Sequence, residues 1–178
     1  ERHLAKVEVA GSSPVIRSTF KNLQVAVSSF FMYNCHGDFM KIEMLRTKTD
    51  SGEITVTSLN LIAGLGVEGD KKAKGGDRQL TLADETSLVA YRADGNGLCV
   101  YRFMPNVATS GIDYSTLSEG DRFTIGDVVI EISSTNKKCF EECKFVQNNS
   151  HCEIKRNCAF AKIICGGTIT AGDEIFEG

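Results

Sequence analysis

The sequence lacks an excess of basic residues, a long apolar run and a secretory leader of convincing form. Lys+Arg number 20 against 23 Asp+Glu, a net charge of −3, so the broad basic face of a nucleic-acid binder is not expected and any anion site must be local. No stretch reaches the roughly 18 apolar residues of a membrane-spanning helix. The run from Val25 to Met32 is broken by serines, and only a poor signal pattern can be placed on residues 1–37. A soluble cytoplasmic protein with neither a nucleic-acid nor a membrane partner is therefore expected. At 178 residues, with 42% hydrophobic and 24% charged, the chain suits one globular domain with a real core.

Cysteine, by contrast, is plentiful, and its placement is uneven. Of seven cysteines, Cys35 and Cys99 stand apart, while Cys139, Cys143, Cys152, Cys158 and Cys165 crowd the last quarter. A disulfide-stapled secreted domain is normally smaller and spreads its cysteines, so this clustering points to a reducing compartment and functional thiols. The paired CxxC knuckles of a strong zinc signature are missing.

Residues 1–39 show neither capped helices nor strand alternation. Ala10-Gly11-Ser12-Ser13-Pro14-Val15-Ile16-Arg17-Ser18 can be reverse-translated to contain TTCAAGT, the pattern of a tRNA T-loop, with flanks that pair as a stem. The expectation is an N-terminal extension over 1–39, non-native or disordered, with the native start at Met40, Met32 being the alternative. The domain is expected over 40–178.

Within that domain, residues 41–47 and 53–59 are expected to form strands about a Thr49-Asp50-Ser51-Gly52 turn. A glycine-rich charged loop follows over 64–77, then a short strand over 78–82. Asp84 can cap a helix with Leu88 and Tyr91 on one side, ended by Asp94-Gly95-Asn96-Gly97. Two short strands flank Gly126-Asp127, and Gly172-Asp173 separates another β-prone pair. Many short strands with glycine turns and one convincing helix predict a mainly β fold, a closed or nearly closed strand-rich barrel.

Four blocks carry a more specific signal. They are Gly64-Leu65-Gly66-Val67-Glu68-Gly69-Asp70 with Arg78-Gln79-Leu80; Arg102-Phe103-Met104-Pro105-Asn106-Val107; Gly120-Asp121-Arg122-Phe123 leading to Lys138-Cys139; and Gly166-Gly167-Thr168-Ile169 with Gly172-Asp173. In this order and spacing the chain resembles the MOSC family, named for the C-terminal domain of molybdenum-cofactor sulfurases, in its free-standing bacterial form. The resemblance implies a strand-rich barrel that delivers or binds sulfur and molybdenum cofactor.

Cys139 occupies the family's cysteine. A sulfur carrier needs a thiolate, which Lys137 and Lys138 would favour and Glu141 and Glu142 oppose. Where many members have histidine after this cysteine, this chain has Phe140, which removes a candidate base. Cys143 stands in CxxxC spacing as a candidate resolving thiol. Alternatively Cys139, Cys143, Cys152 and Cys158 form a thiolate site for zinc. Cys165 is expected in the core, and Cys99 and Cys35 are given no role. For an anionic cofactor, Asp70, Lys72, Arg78, Arg102, Asn106 and Lys138 are the candidate binding residues. Lys72 stands where the family usually has histidine.

The leading expectation is a sulfur carrier or molybdenum-cofactor-binding domain. It would act with a separate sulfur donor such as a pyridoxal-phosphate-dependent cysteine desulfurase, and with cofactor-biosynthesis proteins or molybdoenzymes. The alternatives are a molybdenum-cofactor-dependent reductase of N-hydroxylated compounds and a non-catalytic thiolate-metal module.

Overall fold

The structure is a computed structural model that describes residues 39–178 except Asn136. The extension expected over 1–39 lies, but for Phe39, outside the described residues. Local chemistry builds the first hairpin as the sequence predicts: β1 (Lys41–Thr49) and β2 (Gly52–Val56) pair antiparallel from Thr49 opposite Gly52, whose positive φ closes the turn. β7 (Arg122–Ile125) and β8 (Val128–Ser134) form the second expected hairpin about Gly126, φ 56°.

The remaining strands are β3 (Ser58–Ile62), β4 (Gly66–Val67), β5 (Leu80–Asp84), β6 (Val107–Ser110), β9 (Cys158–Cys165), β10 (Gly167–Thr170) and β11 (Phe176–Glu177). Helix α1 (Glu85–Asp94) is capped as expected: the Ser87 amide donates to Asp84 at 2.6 Å, and Gly95 ends the helix in the left-handed region. It is the crossover between β5 and β6, which pair in parallel, so it lies against the sheet with Leu88 and Tyr91 buried. Two four-residue helices, α2 (Lys144–Gln147) and α3 (Glu153–Arg156), follow the cysteine-bearing loop. No helix among the described residues is long and apolar enough to cross a membrane.

The fold is mainly β, but the expected closed or nearly closed barrel does not form. Eight strands make an open sheet in the order β11-β7-β8-β9-β5-β6-β1-β2, and β10-β3-β4 make a second open sheet. The reason lies at two corners. Residues 53–59, expected as one strand, break at Thr57, and β9 breaks at Gly166 before β10; on each occasion the chain leaves the large sheet for the small one. Backbone groups that could have closed a barrel instead pair β10 with β3. Gly172-Asp173 accordingly joins strands of different sheets, and residues 172–175 tie to the start of β1 through single bonds such as Ile42 N to Asp173 O at 2.9 Å.

Two apolar clusters result. The larger contains Leu45, Leu59, Leu61, Leu82, Ile130 and Ile169 from both sheets. The smaller, with Ala83, Leu88, Tyr91, Cys99, Phe103, Ile154 and Cys158, packs α1 and α3 over the parallel strands. It is the smaller one that borders the site.

Candidate functional site

Four cysteines from three parts of the chain meet beside this smaller core. Cys99 comes from the loop after α1, Cys139 and Cys143 from the loop between β8 and α2, and Cys152 from the residue before α3. With Tyr91, Lys137, Phe140 and Phe145 they line a cavity of about 190 Å³. Cys158, at the start of β9, lies buried in the same apolar cluster. All five thiols are free. Cys99 and Cys143 are buried, whereas Cys139 and Cys152 are partly exposed.

The thiols have different electrostatic surroundings. Burial pushes Cys143 up, but the amide groups of Leu98, Phe145 and Val146 together with the Lys137 charge outweigh it, and the net direction is down. Burial, reinforced by Cys139 and Cys99, raises Cys152. Burial raises Cys158 to about 12 despite the opposing pull of Lys137. Cys139 donates weakly to the Lys137 carbonyl at 3.8 Å.

Two cations line the cavity, Lys137 and Lys155. The Lys137 ammonium lies 5.6 Å from the Phe103 ring and 5.8 Å from the Phe140 ring, and donates to the Lys138 carbonyl at 3.4 Å. Phe140, in place of a base, thus helps seat a charge. Arg102 also reaches this loop, its guanidinium 5.8 Å from the Phe140 ring.

Tyr91 brings the polar atom that sequence reasoning missed. Its hydroxyl is sealed from solvent and makes no hydrogen bond of normal geometry, the Cys99 amide being the backbone group that approaches its oxygen. Burial, with Cys99, Cys152 and Cys143 nearby, raises its ionisation well above the ordinary value, so the phenol keeps its proton. Gly97 makes room for it: a Cβ there would lie 2.6 Å from the Tyr91 oxygen and 2.7 Å from Phe145.

The other expected residues are placed elsewhere. Asp70, buried, accepts from the amides of Lys48 and Lys72, the Thr47 hydroxyl and the Asn106 side chain at 2.7–3.2 Å. Asn106 also bonds the Arg46 carbonyl and the Thr81 amide. Lys72 pairs with Glu53 at 2.9 Å, Arg78 stacks on Phe160 at 4.2 Å, and Lys138 is exposed. None of these five lines the cavity.

Three expectations are corrected. Cys99, given no role, lines the cavity, because the loop after α1 folds back beside the distant cysteine loop. Cys165, expected in the core, is exposed at the last position of β9, opposite Val129. The four-cysteine metal site over Cys139, Cys143, Cys152 and Cys158 does not converge: among the described residues no three His, Cys, Asp or Glu side chains could hold one ion. No local CxxC turn is present to draw the sulfurs together.

The fold has counterparts among solved proteins. A hypothetical protein known from its crystal structure is 20% identical, with 79% of this chain covering 69% of that one at a TM-score of 0.58. YuaD from Bacillus subtilis is 20% identical, with coverage of 76% and 93% and a TM-score of 0.53. YiiM from Escherichia coli is 19% identical, with coverage of 79% and 69% and a TM-score of 0.53. No curated protein matches the sequence. The MOSC domain profile matches residues 69–176, a span that contains the whole cysteine cavity. The chain belongs to the MOSC domain family, which is generally associated with molybdenum-cofactor binding.

Proposed function

We propose that this protein carries sulfur on Cys139 for molybdenum-cofactor sulfuration or biosynthesis. One observation carries the reading: Cys99, Cys139, Cys143 and Cys152 border a single space, all as free thiols, with Lys137 beside them. Cys139 and Cys152 both combine partial exposure with a place on the cavity wall; Cys139 is the loading thiol because burial raises Cys152 and holds it as the less reactive thiol.

The chemistry is thiol-persulfide exchange. The Cys139 thiolate attacks the outer sulfur of a donor persulfide, the donor's S–S bond breaks, and the donor leaves as a thiolate. Delivery repeats the exchange: an acceptor nucleophile takes the outer sulfur with its proton, and Cys139 is released as a thiolate. If the Cys143 thiolate attacks the inner sulfur instead, hydrosulfide leaves and a Cys139–Cys143 disulfide forms, which a dithiol reductant must reopen. The donor is a separate protein such as a cysteine desulfurase, which brings its own pyridoxal phosphate. The acceptor is a molybdenum-cofactor protein, and a reducing cytoplasm keeps the thiols available.

The whole pterin cofactor does not fit this cavity. About 190 Å³ is below the roughly 300–1,000 Å³ usual for an enclosed small-molecule site. Two of the four basic residues expected to hold its phosphate are engaged elsewhere, Lys72 with Glu53 and Arg78 with Phe160. A small sulfur group matches the space better, which favours sulfur carriage over a reductase with a permanently enclosed cofactor.

The test is intact-mass analysis after incubation with a cysteine desulfurase and cysteine. Wild type is expected to gain one reducible sulfur, mapped to Cys139 by peptide analysis, and Cys139→Ser none. Equal gain by both proteins would overturn the assignment.

A further inference from the structure

The chain is net negative, yet no carboxylate lines the cysteine cavity. Its charged wall consists of Lys137 and Lys155, with Asn149 and Ser150 as further polar residues. The acids nearest in sequence stand outside: Glu141 and Glu142 are exposed, and Glu153 pairs with His151 at 2.6 Å. Among the described residues the Lys155 ammonium has no ion pair or hydrogen bond, whereas Lys72 and Lys162 on the scaffold are each paired with a carboxylate at 2.9 Å. Lys155 also lines an adjoining cleft with Arg156, Ser115 and Thr135, and no carboxylate lines that cleft either. Positive charge therefore runs from the open surface to the thiols, the arrangement that draws a small anion inward.

We infer that the cavity receives a small sulfane-sulfur dianion of the thiosulfate class, held by Lys137 and Lys155 while Cys139 takes its outer sulfur. The inference rests on the sulfur-carrier reading and adds to it a route of loading that needs no donor protein. Size and charge agree: about 190 Å³ admits a molecule of a few non-hydrogen atoms, and the cavity offers two cations to a dianion. The four free thiols around the space suit an anion with sulfur to give, and not one that offers only a phosphoryl group. In the transfer, the Cys139 thiolate attacks the sulfane sulfur, an S–S bond forms to Cys139, the donor's own S–S bond breaks, and sulfite leaves with the electron pair. Cys139 begins and ends with one negative charge, and a dianion leaves where a dianion entered, so no proton, oxidant or reductant is needed. The two lysines offset the repulsion between a thiolate and a dianion, which is the main electrostatic obstacle to this attack.

The experiment incubates the full chain with thiosulfate alone and reads intact mass and released sulfite. Wild type is expected to gain one sulfur, mapped to Cys139, with one sulfite released for each sulfur gained. Sulfate, a dianion with no sulfane sulfur, should compete and slow the loading. Lys155 is exposed, so Lys155→Gln should keep the wild-type melting temperature while raising the half-saturating thiosulfate concentration about tenfold, as the loss of one charge-assisted hydrogen bond would give. No mass gain and no sulfite from thiosulfate, in protein that a cysteine desulfurase does load, would overturn this inference and leave the carrier reading standing. Loading that ignores sulfate, or that is equally sensitive to thiosulfate in wild type and Lys155→Gln, would overturn the cavity as the receptor. If neither donor loads Cys139, the carrier reading fails and this inference with it.

Discussion

The glycine-rich charged loop and the cysteine cavity are both polar, and both looked functional in the sequence, but they differ in what their polar atoms do. In the loop, Asp70 accepts four hydrogen bonds, Asn106 bridges Asp70 to the Arg46 carbonyl, and Lys72 is paired with Glu53. Its chemistry is directed inward and holds strands together. Around the cavity the thiols are free and a buried hydroxyl makes no hydrogen bond of normal geometry. The contrast teaches that residue type alone does not separate scaffold from site; the separation comes from which groups already have partners.

The largest effect that would sharpen this contrast is in the loop. Asp70→Ala leaves two backbone amides, Thr47 and Asn106 without their acceptor, and is expected to cost about 4 kcal/mol in urea unfolding. Sulfur uptake per folded molecule should stay at the wild-type level, and a selective loss of uptake would move Asp70 into the site. The next effect is on the thiol side and depends on pH. Cys158 holds its proton to about 12 when folded against an ordinary value of 9.0. The unfolded chain therefore releases that proton first, and the contribution to stability, complete below 9, is lost as pH rises through that window. By about pH 11 the loss is roughly 3 kcal/mol. Cys158→Ala should flatten this alkaline slope while lowering stability at every pH through the space it leaves; an unchanged slope in chemical unfolding would contradict the assignment. The smallest effect is Arg78→Ala, which removes the contact with Phe160 for about 0.5 kcal/mol and should leave sulfur uptake unaltered. A drop in uptake there would erase the distinction between the two regions.

Much of the scaffold was legible because its causes are local. Asp84 and Gly95 delimit α1 through short-range capping, and the turns at Gly52 and Gly126 follow from a positive φ beside alternating strand residues. The break at Thr57 was not legible, since whether a strand continues in one sheet or enters another depends on partners far away in the chain. For the site, Cys139, Cys143 and Cys152 could be named from one segment, and the structure puts them on one cavity. Cys99 could not: nothing near it signals a role, and only the crossover geometry of β5, α1 and β6 brings its loop alongside. Tyr91 was readable as a buried helix residue, but that its hydroxyl lacks a hydrogen bond of normal geometry is a property of the packed interior and not of the sequence.

The close fit of Gly97 against Tyr91 and Phe145 also constrains how this protein can diverge. Position 97 has φ +90° and no room for a methyl group against either ring, so a side chain there is tolerated only if residues 91 and 145 shrink or move with it. Among descendants of this sequence the three positions should drift as a set, and a lineage that replaces Gly97 should also abandon the phenol.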